Sequence, residues 1–327
     1  MKKKMIVLIA AAMSAALLAG GVVTVSAQAQ VRVGSMKGPT SMGLVHFMDE
    51  AEKDADESYT FEMVTAADEL TAKFTTGEMD IVLVPANMAS ILYNKTKGNI
   101  QVIDINTLGV LYMVTADDSI SSVADLKGKT VYSTGKGQTP EYVLNFLLES
   151  NGISKDEVTV EYKSEATEVV STLAQDENAI GILPQPFATV ACKQNEKLKE
   201  VCDLTQEWDK TGKGTLVTGV TIAKKDYIEA NPEVIEDFLD QHESSIEFAA
   251  ENTAEAAELI AAAGIVEKAP IAEAALPKCN VKYLDGEEMK TALSGYLEVL
   301  FNQNSESVGG SLPEDDFYYM EAEELDD

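Results

Sequence analysis

Ile81-Val82-Leu83-Val84-Pro85 (IVLVP) and Ile180-Gly181-Ile182-Leu183-Pro184 (IGILP) stand 99 residues apart, and that interval organises the chain. Slid by the same distance, Lys37-Gly38-Pro39-Thr40 falls on Lys136-Gly137-Gln138-Thr139. Phe47 meets Phe146, Glu50 meets Glu149, and Thr60 and Glu62 meet Thr159 and Glu161. Ala89 meets Ala188, and Val102-Ile103-Asp104 meets Val201-Cys202-Asp203. From Val31 to Asp104, 15 of 74 positions are identical without a gap. Unrelated chains of ordinary composition match at about one position in 15 to 20. The same unit occurs twice.

Periodicity says what the unit is. Val31 to Met36 is a short β-rich run followed by a Gly-Pro loop. Ser41 to Lys53 places Leu44, Val45, Phe47 and Met48 at helical spacing. Tyr59 to Val64 alternates as a strand does, and Ala67 to Thr76 reads as a short helix with Leu70 and Phe74 inward. Ile81 to Val84 is the continuous apolar run of a strand buried on both faces. Ala86 to Asn94 is helical, and Ile100 to Ile105 is strand again. The order β-α-β-α-β-α-β, repeated from Lys129 to Leu204, predicts two α/β lobes, each with a helix-covered parallel sheet.

Two further apolar runs, Leu108 to Val114 and Leu216 to Ala223, read as paired crossings between the lobes. Beyond Lys224 the chain is mostly helical. Asn231-Pro232 opens a helix through Ala250, Thr253 to Ala263 follows, and Gly286 to Phe301 closes, with apolar faces that suit the first lobe. Phe317 to Tyr319 also pack down. The expected division is a signal segment over 1–29, first lobe 30–114, second lobe 115–215, first lobe again 216–319 and an acidic tail 320–327.

Met1 to Lys4 is basic, Met5 to Ala19 is apolar, and Ala27-Gln28-Ala29 fits a small-x-small cleavage site. This is the layout of a secretory signal peptide cleaved near Ala29. Gly21 stands where a lipid-bearing Cys would follow Leu18-Ala19-Gly20, which favours release over lipid anchoring. Export puts Cys192, Cys202 and Cys279 in an oxidising compartment, where the first two are available to pair. The chain carries 25 Lys+Arg against 55 Asp+Glu, a formal net charge of −30. That excludes a nucleic-acid footprint and docking on anionic lipid. At 45% apolar residues the chain holds a large core and is not a disordered acidic tail.

Ligands of open α/β sheets bind beyond the carboxyl ends of the strands, where loops enter helix N-termini. The repeated residues fall there. The candidate ligand contacts are Lys37, Gly38, Thr40 and Ser41 in the first lobe, and Gly137, Gln138 and Thr139 in the second. Asn87 and Gln185 follow the two prolines. Trp208, the only tryptophan, either stacks on a ligand or packs at a lobe edge, and Tyr112 and Thr218 lie near the crossings. The plainer alternative is that the glycines serve only turns and the threonines only cap helices. There is no Gly-x-Ser-x-Gly elbow, Walker loop, Gly-x-Gly-x-x-Gly fingerprint, His-Glu-x-x-His helix or Cys-x-x-Cys pair. His46 and His242 make no pair in the sequence. The reading is of no catalytic residue, no cofactor and no metal.

Val31-Arg32-Val33-Gly34 with Gly38-Pro39-Thr40, Gly77-Glu78-Met79-Asp80-Ile81 before Pro85, and Asp125-Leu126-Lys127-Gly128-Lys129-Thr130-Val131 resemble a known family. So do Asn231-Pro232-Glu233-Val234 and Leu312-Pro313-Glu314-Asp315-Asp316-Phe317-Tyr318-Tyr319. The chain resembles a bacterial ABC-importer substrate-binding protein of the type II periplasmic-binding-protein fold. It is most similar to the nitrate/sulfonate/taurine and thiamine-pyrimidine-precursor binding group, over nearly all of the mature chain. The resemblance implies two Rossmann-like lobes joined by a two-strand hinge. They would act as a monomer, close on a small solute and deliver it to a membrane permease. Two departures stand out: the lipid-bearing Cys is missing, and Arg32 is the only arginine, which argues against a guanidinium clamp on an anion. The alternatives are an exported sensing module that presents its ligand to a receptor, or an enzyme on the same fold in pyrimidine or menaquinone-pathway chemistry.

Overall fold

The computed structural model describes residues 30–54 and 58–321. The expected signal segment and the end of the acidic tail lie outside these residues. The first unit runs β1 (Val31–Met36), α1 (Pro39–Met42), α2 (Val45–Lys53), β2 (Tyr59–Val64), α3 (Ala67–Thr76), β3 (Ile81–Pro85), α4 (Ala86–Lys95) and β4 (Ile100–Leu108). After β5 (Leu111–Thr115) comes the second unit. It consists of β6 (Thr130–Ser133), α5 (Thr139–Ser150), β7 (Thr159–Tyr162), α6 (Ala166–Gln175), β8 (Ile180–Pro184), α7 (Phe187–Gln194) and β9 (Lys199–Asp203). The rest is α8 (Leu204–Asp209), β10 (Val217–Lys224), α9 (Lys225–Ala230), α10 (Pro232–Glu251), α11 (Thr253–Ala262), α12 (Ala269–Ala275), β11 (Val281–Leu284) and α13 (Gly286–Gln303).

The repeat survives folding residue for residue: α3 and α6, β3 and β8, and the starts of β4 and β9 are each displaced by the same 99 positions. The two sheets also share one topology. The first has the order β11-β4-β10-β3-β1-β2 and the second β7-β6-β8-β5-β9, so β4-β10-β3-β1-β2 maps onto β9-β5-β8-β6-β7.

That mapping corrects two expectations. The sheets are mixed, not parallel: β5 runs antiparallel to β8 and β9, and β10 runs antiparallel to β3 and β4. Each arrives from the other lobe and enters its sheet from the opposite end. The two crossing strands therefore do not pair with each other; each fills the same slot in the lobe it enters. Leu111–Thr115 belongs to the second lobe's sheet, so the first crossing lies at Gly109-Val110 and not at residue 114. The second crossing is 210–216.

In the first lobe, α2 and α10 cover one sheet face, with Phe47, Ile235, Phe238 and Leu239 against Val31, Val33, Ile81 and Leu83. The other face is covered by α3, α4 and α13, through Leu70, Phe74, Leu92, Leu293 and Leu297. In the second lobe, Val169, Leu173, Ala188 and Ala191 of α6 and α7 cover one face, and Leu144, Leu147 and Leu204 cover the other. One apolar cluster runs through both lobes by way of Leu204, Trp208, Leu216 and Tyr296. Phe317 and Tyr318 are buried, and Tyr319 N donates to Val102 O (2.9 Å), so the chain end adds to the first sheet. All three cysteines are free thiols. Cys202 packs in the cluster on one face of the second sheet and Cys192 against that on the other, so the two do not pair. Burial raises the Cys202 thiol to about 12.

Candidate functional site

The loop after β1 is tied to its own strand. Lys37 N donates to Val64 O (2.9 Å), Thr40 Oγ1 to Met36 O (3.1 Å), and Ser41 Oγ to the same carbonyl (2.5 Å) with Ser35 Oγ 2.7 Å away. Gly38 adopts φ +150° and a Cβ there would face open space. Thr40 is half-buried beside Gly219 of β10: a Cβ on Gly219 would stand 2.5 Å from the Thr40 methyl and 2.5 Å from Asn106 Oδ1. The exposed Lys37 extends its ammonium toward Gly264. Asn87, half-buried at the start of α4, donates Nδ2 to Ser307 O (3.2 Å).

The loop after β6 is held by different bonds. Gly137 has φ +74° and faces open space, and Gln138 is exposed. Gly137 N donates to Glu141 Oε2 (2.5 Å), Gln138 N to Gly135 O (2.9 Å), and Tyr142 Oη to Gly137 O (3.2 Å). Thr139 is the first residue of α5 and its side chain faces the Tyr296 hydroxyl. Neither threonine is an N-cap: those positions fall on Gly38 and Gln138, without a side-chain cap. Asn304 Nδ2 donates to Tyr142 Oη (3.3 Å) and Gln303 Nε2 to Tyr142 O (2.9 Å), so the end of α13 bridges the first lobe to α5. Asn87 thus reaches Gly137 through Ser307, Asn304 and Tyr142.

Four expected contacts sit elsewhere. Ser41 is fully buried with its hydroxyl spent on the loop. Gln185 is buried at 1% exposure: its Oε1 accepts from Thr189 Oγ1 (2.9 Å) and its Nε2 donates to Glu200 Oε1 (3.0 Å), which ties α7 to β9. Trp208 is 0% exposed. It packs between Phe146 and Tyr296 (centroids 4.4 and 5.7 Å) and donates Nε1 to Gly214 O (3.1 Å), so it offers no face to a solute. Tyr112 is buried and donates to Lys278 O (3.1 Å) across the lobes, beside the Lys278–Glu200 ion pair. Large buried rings and amides at a lobe junction carry the same sequence signature as ligand contacts. Thr218, on β10 next to Gly219, stays half-buried near the first loop.

Sequence reasoning missed the polar chain beneath Thr40. Thr107 Oγ1 donates to Asn106 Oδ1 (2.9 Å), Asn106 Nδ2 to Thr221 Oγ1 (3.1 Å), and Thr221 Oγ1 to Asp104 Oδ1 (2.6 Å). Asp104 Oδ2 is 3.0 Å from His242 Nδ1. All five residues are at most 1% exposed. Three polar residues, Asp104, Asn106 and Thr107, within the fully buried stretch of β4 were the available signal. Glu141 was missed as well. The one donor set among the described residues with metal-binding spacing is His46, Asp49 and Glu50 on α2. Lys53 Nζ already bonds both carboxylates, at 2.7 and 2.9 Å.

A groove of ≈ 1080 Å³ runs between α5 and α13, lined among others by Glu141, Tyr142, Glu149, Glu298 and Gln303. Of the expected contacts it reaches only Gly137. It follows helix flanks, whereas Thr40, Asn87 and Thr218 lie at strand ends.

Residues 97–256 match the model of the family described as NMT1/THI5 like. A protein of Brucella abortus (strain 2308), whose name gives it a provisional binding role, is 25% identical over 227 residues, or 67% of this chain and 68% of that one. Among solved structures, an ABC transporter protein from Parabacteroides distasonis superposes with a TM-score of 0.77 at 21% identity, covering 90% of this chain and 99% of that one. The periplasmic aliphatic sulphonate binding protein SsuA of Escherichia coli gives a TM-score of 0.70 at 16% identity, covering 89% and 93%. The alkanesulfonate-binding protein SsuA of Xanthomonas axonopodis pv. citri, bound to MOPS, gives 0.64 at 16%, covering 88% and 95%. The fold is that of the two-lobed periplasmic binding proteins.

Proposed function

We propose that the chain is the extracytoplasmic solute-binding component of an ABC importer. It captures one small solute between its lobes and presents it to a membrane permease. The observation that carries this reading is the duplication: two sheets that share a five-strand order exchange one strand each, and their Gly38 and Gly137 loops both face open space. Two chain crossings at one end leave the lobes one main freedom, opening and closing about Gly109-Val110 and 210–216. Contacts made by both lobes exist only when the lobes close, so the solute selects the closed state by its differential affinity.

The reading is of a carrier without chemistry of its own. The His242–Asp104 pair is sealed from solvent on both sides and beneath the sheet, where no substrate reaches it. Export by a cleaved N-terminal signal, and action as a monomer, are parts of the same proposal. A thermal-shift screen tests it over sulfonates, nitrate, amino acids, amines and small heteroaromatics. A bound solute at about 100 times its Kd adds about 2.7 kcal/mol, a rise of about 5 °C or more. Small-angle scattering on the hit should show compaction. Tight binding without compaction would overturn closure, and turnover of the hit would overturn the carrier reading. Thr40→Val is expected to weaken the hit about 10-fold with the fold intact, as loss of one hydrogen bond in a closed site does.

A further inference from the structure

Lys278 and Glu200 stand on opposite lobes. Lys278 ends the short turn after α12 in the first lobe, and Glu200 lies on β9 of the second sheet. Nζ of one is 2.5 Å from Oε2 of the other. Among the ion pairs between described residues, this is the one that crosses from lobe to lobe. The others, such as Arg32–Asp80 (2.6 Å) and Lys129–Asp117 (3.9 Å), stay within one lobe. Both lobes carry more acidic than basic residues, so long-range charge pushes them apart.

The surroundings make the pair sensitive to the lobe angle. Glu200 is held from behind: Oε1 accepts from Gln185 Nε2 (3.0 Å) and Thr189 Oγ1 (3.4 Å), both in the second lobe, and the side chain is 14% exposed. Its carboxylate therefore cannot follow a partner that moves away. Two residues beyond Lys278, Asn280 takes a left-handed φ of +45° and donates Nδ2 to Gly109 O, in the first crossing. Tyr112 Oη, on the far side of that crossing, donates to Lys278 O (3.1 Å). The segment 278–280 is thus fastened at the pivot by Asn280 and to the second lobe by two bonds from Lys278. Rotation about Gly109-Val110 displaces Tyr112 and Glu200 relative to it.

We propose that Lys278 and Glu200 form a clasp that holds the two acidic lobes at one angle. A solute moves the lobes from that angle only by as much as its differential affinity, so the clasp belongs to what binding works against. This deepens the solute-binding reading, yet its test needs no solute. Small-angle scattering is recorded on the mature protein and on Lys278→Met, Glu200→Gln and their double variant. Both single variants should show a larger radius of gyration, with the ratio of separated to fastened molecules rising about two- to five-fold, as for loss of a partly exposed ion pair. One removes a positive and the other a negative charge, so an effect of net charge alone would have opposite signs. The double variant should expand no more than either single one, because the pair is lost only once. Tyr112→Phe changes no charge and should shift the radius the same way by less. Opposite shifts, summed shifts or unchanged scattering overturn the clasp and leave the carrier reading to the solute screen.

Discussion

Asp104 is a fully buried acidic residue of the first lobe, and its partners offset the cost of burying it. One carboxylate oxygen accepts from Thr221 and the other faces His242, with all three side chains 0% exposed. Removing one partner leaves the other's polarity uncompensated, so Asp104→Ala is expected to cost about 3–5 kcal/mol in urea unfolding. The double variant Asp104→Leu/His242→Leu should recover part of that loss, because neither polar side chain then remains to be stranded. If the double variant loses the sum of the single losses, the two residues are independent and the pair is not the unit. Such networks are hard to see in a sequence. Asp104 repeats as Asp203 in the second unit, yet Asp203 instead caps α8 by accepting from Thr205 N (2.9 Å). Identical letters at equivalent positions took different roles because β4 runs on past Asp104 to Leu108, with α10 packed against it, whereas β9 ends at Asp203 and α8 begins. Arg32 was the opposite case. Its solitude in the sequence already argued against an anion clamp, and the geometry supplied the partner, Asp80.

At the scale of elements, the strongly periodic segments were legible almost to the residue: β2, α3, and the long helices α10 and α13. The short ones were not. α12 and β11 are brief pieces in Ala-rich or mixed sequence, without enough turns or alternations to show a period. The directions of β5 and β10 were hidden for another reason: an apolar run shows burial, not which sheet edge it enters or from which end. The chain end was read only as packing down, and its fastening is electrostatic. Asp316 bonds Lys225 (2.5 Å) and the Tyr93 hydroxyl, and Lys290 bonds Asp315 (3.0 Å). The Lys225 ammonium and the Tyr93 hydroxyl hold the Asp316 carboxyl below its usual range. A group depressed in the folded state stabilises it above the unfolded value of about pH 4 and loses that contribution as pH falls through the folded value. Amide exchange over residues 315–319 should therefore speed up below that pH in the native protein, beyond the intrinsic pH effect. Asp316→Asn should exchange faster at neutral pH and show less of the acid-side change. Equal protection in both proteins at pH 7 would show that Phe317 and Tyr318 hold the end by burial alone.

For the whole molecule, the residues set aside as ligand contacts define the joint on which the proposed closure turns. Trp208 sits in the second lobe with Phe146 of α5 on one side and Tyr296 of the first lobe's α13 on the other. The two crossings touch beside it: a Cβ on Gly109 would stand 2.1 Å from Thr205 Oγ1 and 2.7 Å from a Leu216 methyl. The lobes thus share a packed core here, and any change of angle must be taken up in it. Interiors at native density resist an added methyl, because neighbours have no free volume to move into. Gly109→Ala is therefore expected to wedge the joint. It should destabilise by about 1–3 kcal/mol and shift the lobe angle seen by small-angle scattering, although the residue lies away from Thr40 and Gly137. Since Trp208 is the only tryptophan, its emission reads the same joint without a label. Solute addition should change the intensity in the native protein and change it less in Gly109→Ala, with affinity reduced in proportion to the fraction of molecules able to close. An unaltered affinity and an unaltered scattering profile in Gly109→Ala would place the pivot elsewhere, leaving 210–216 as the only crossing that moves.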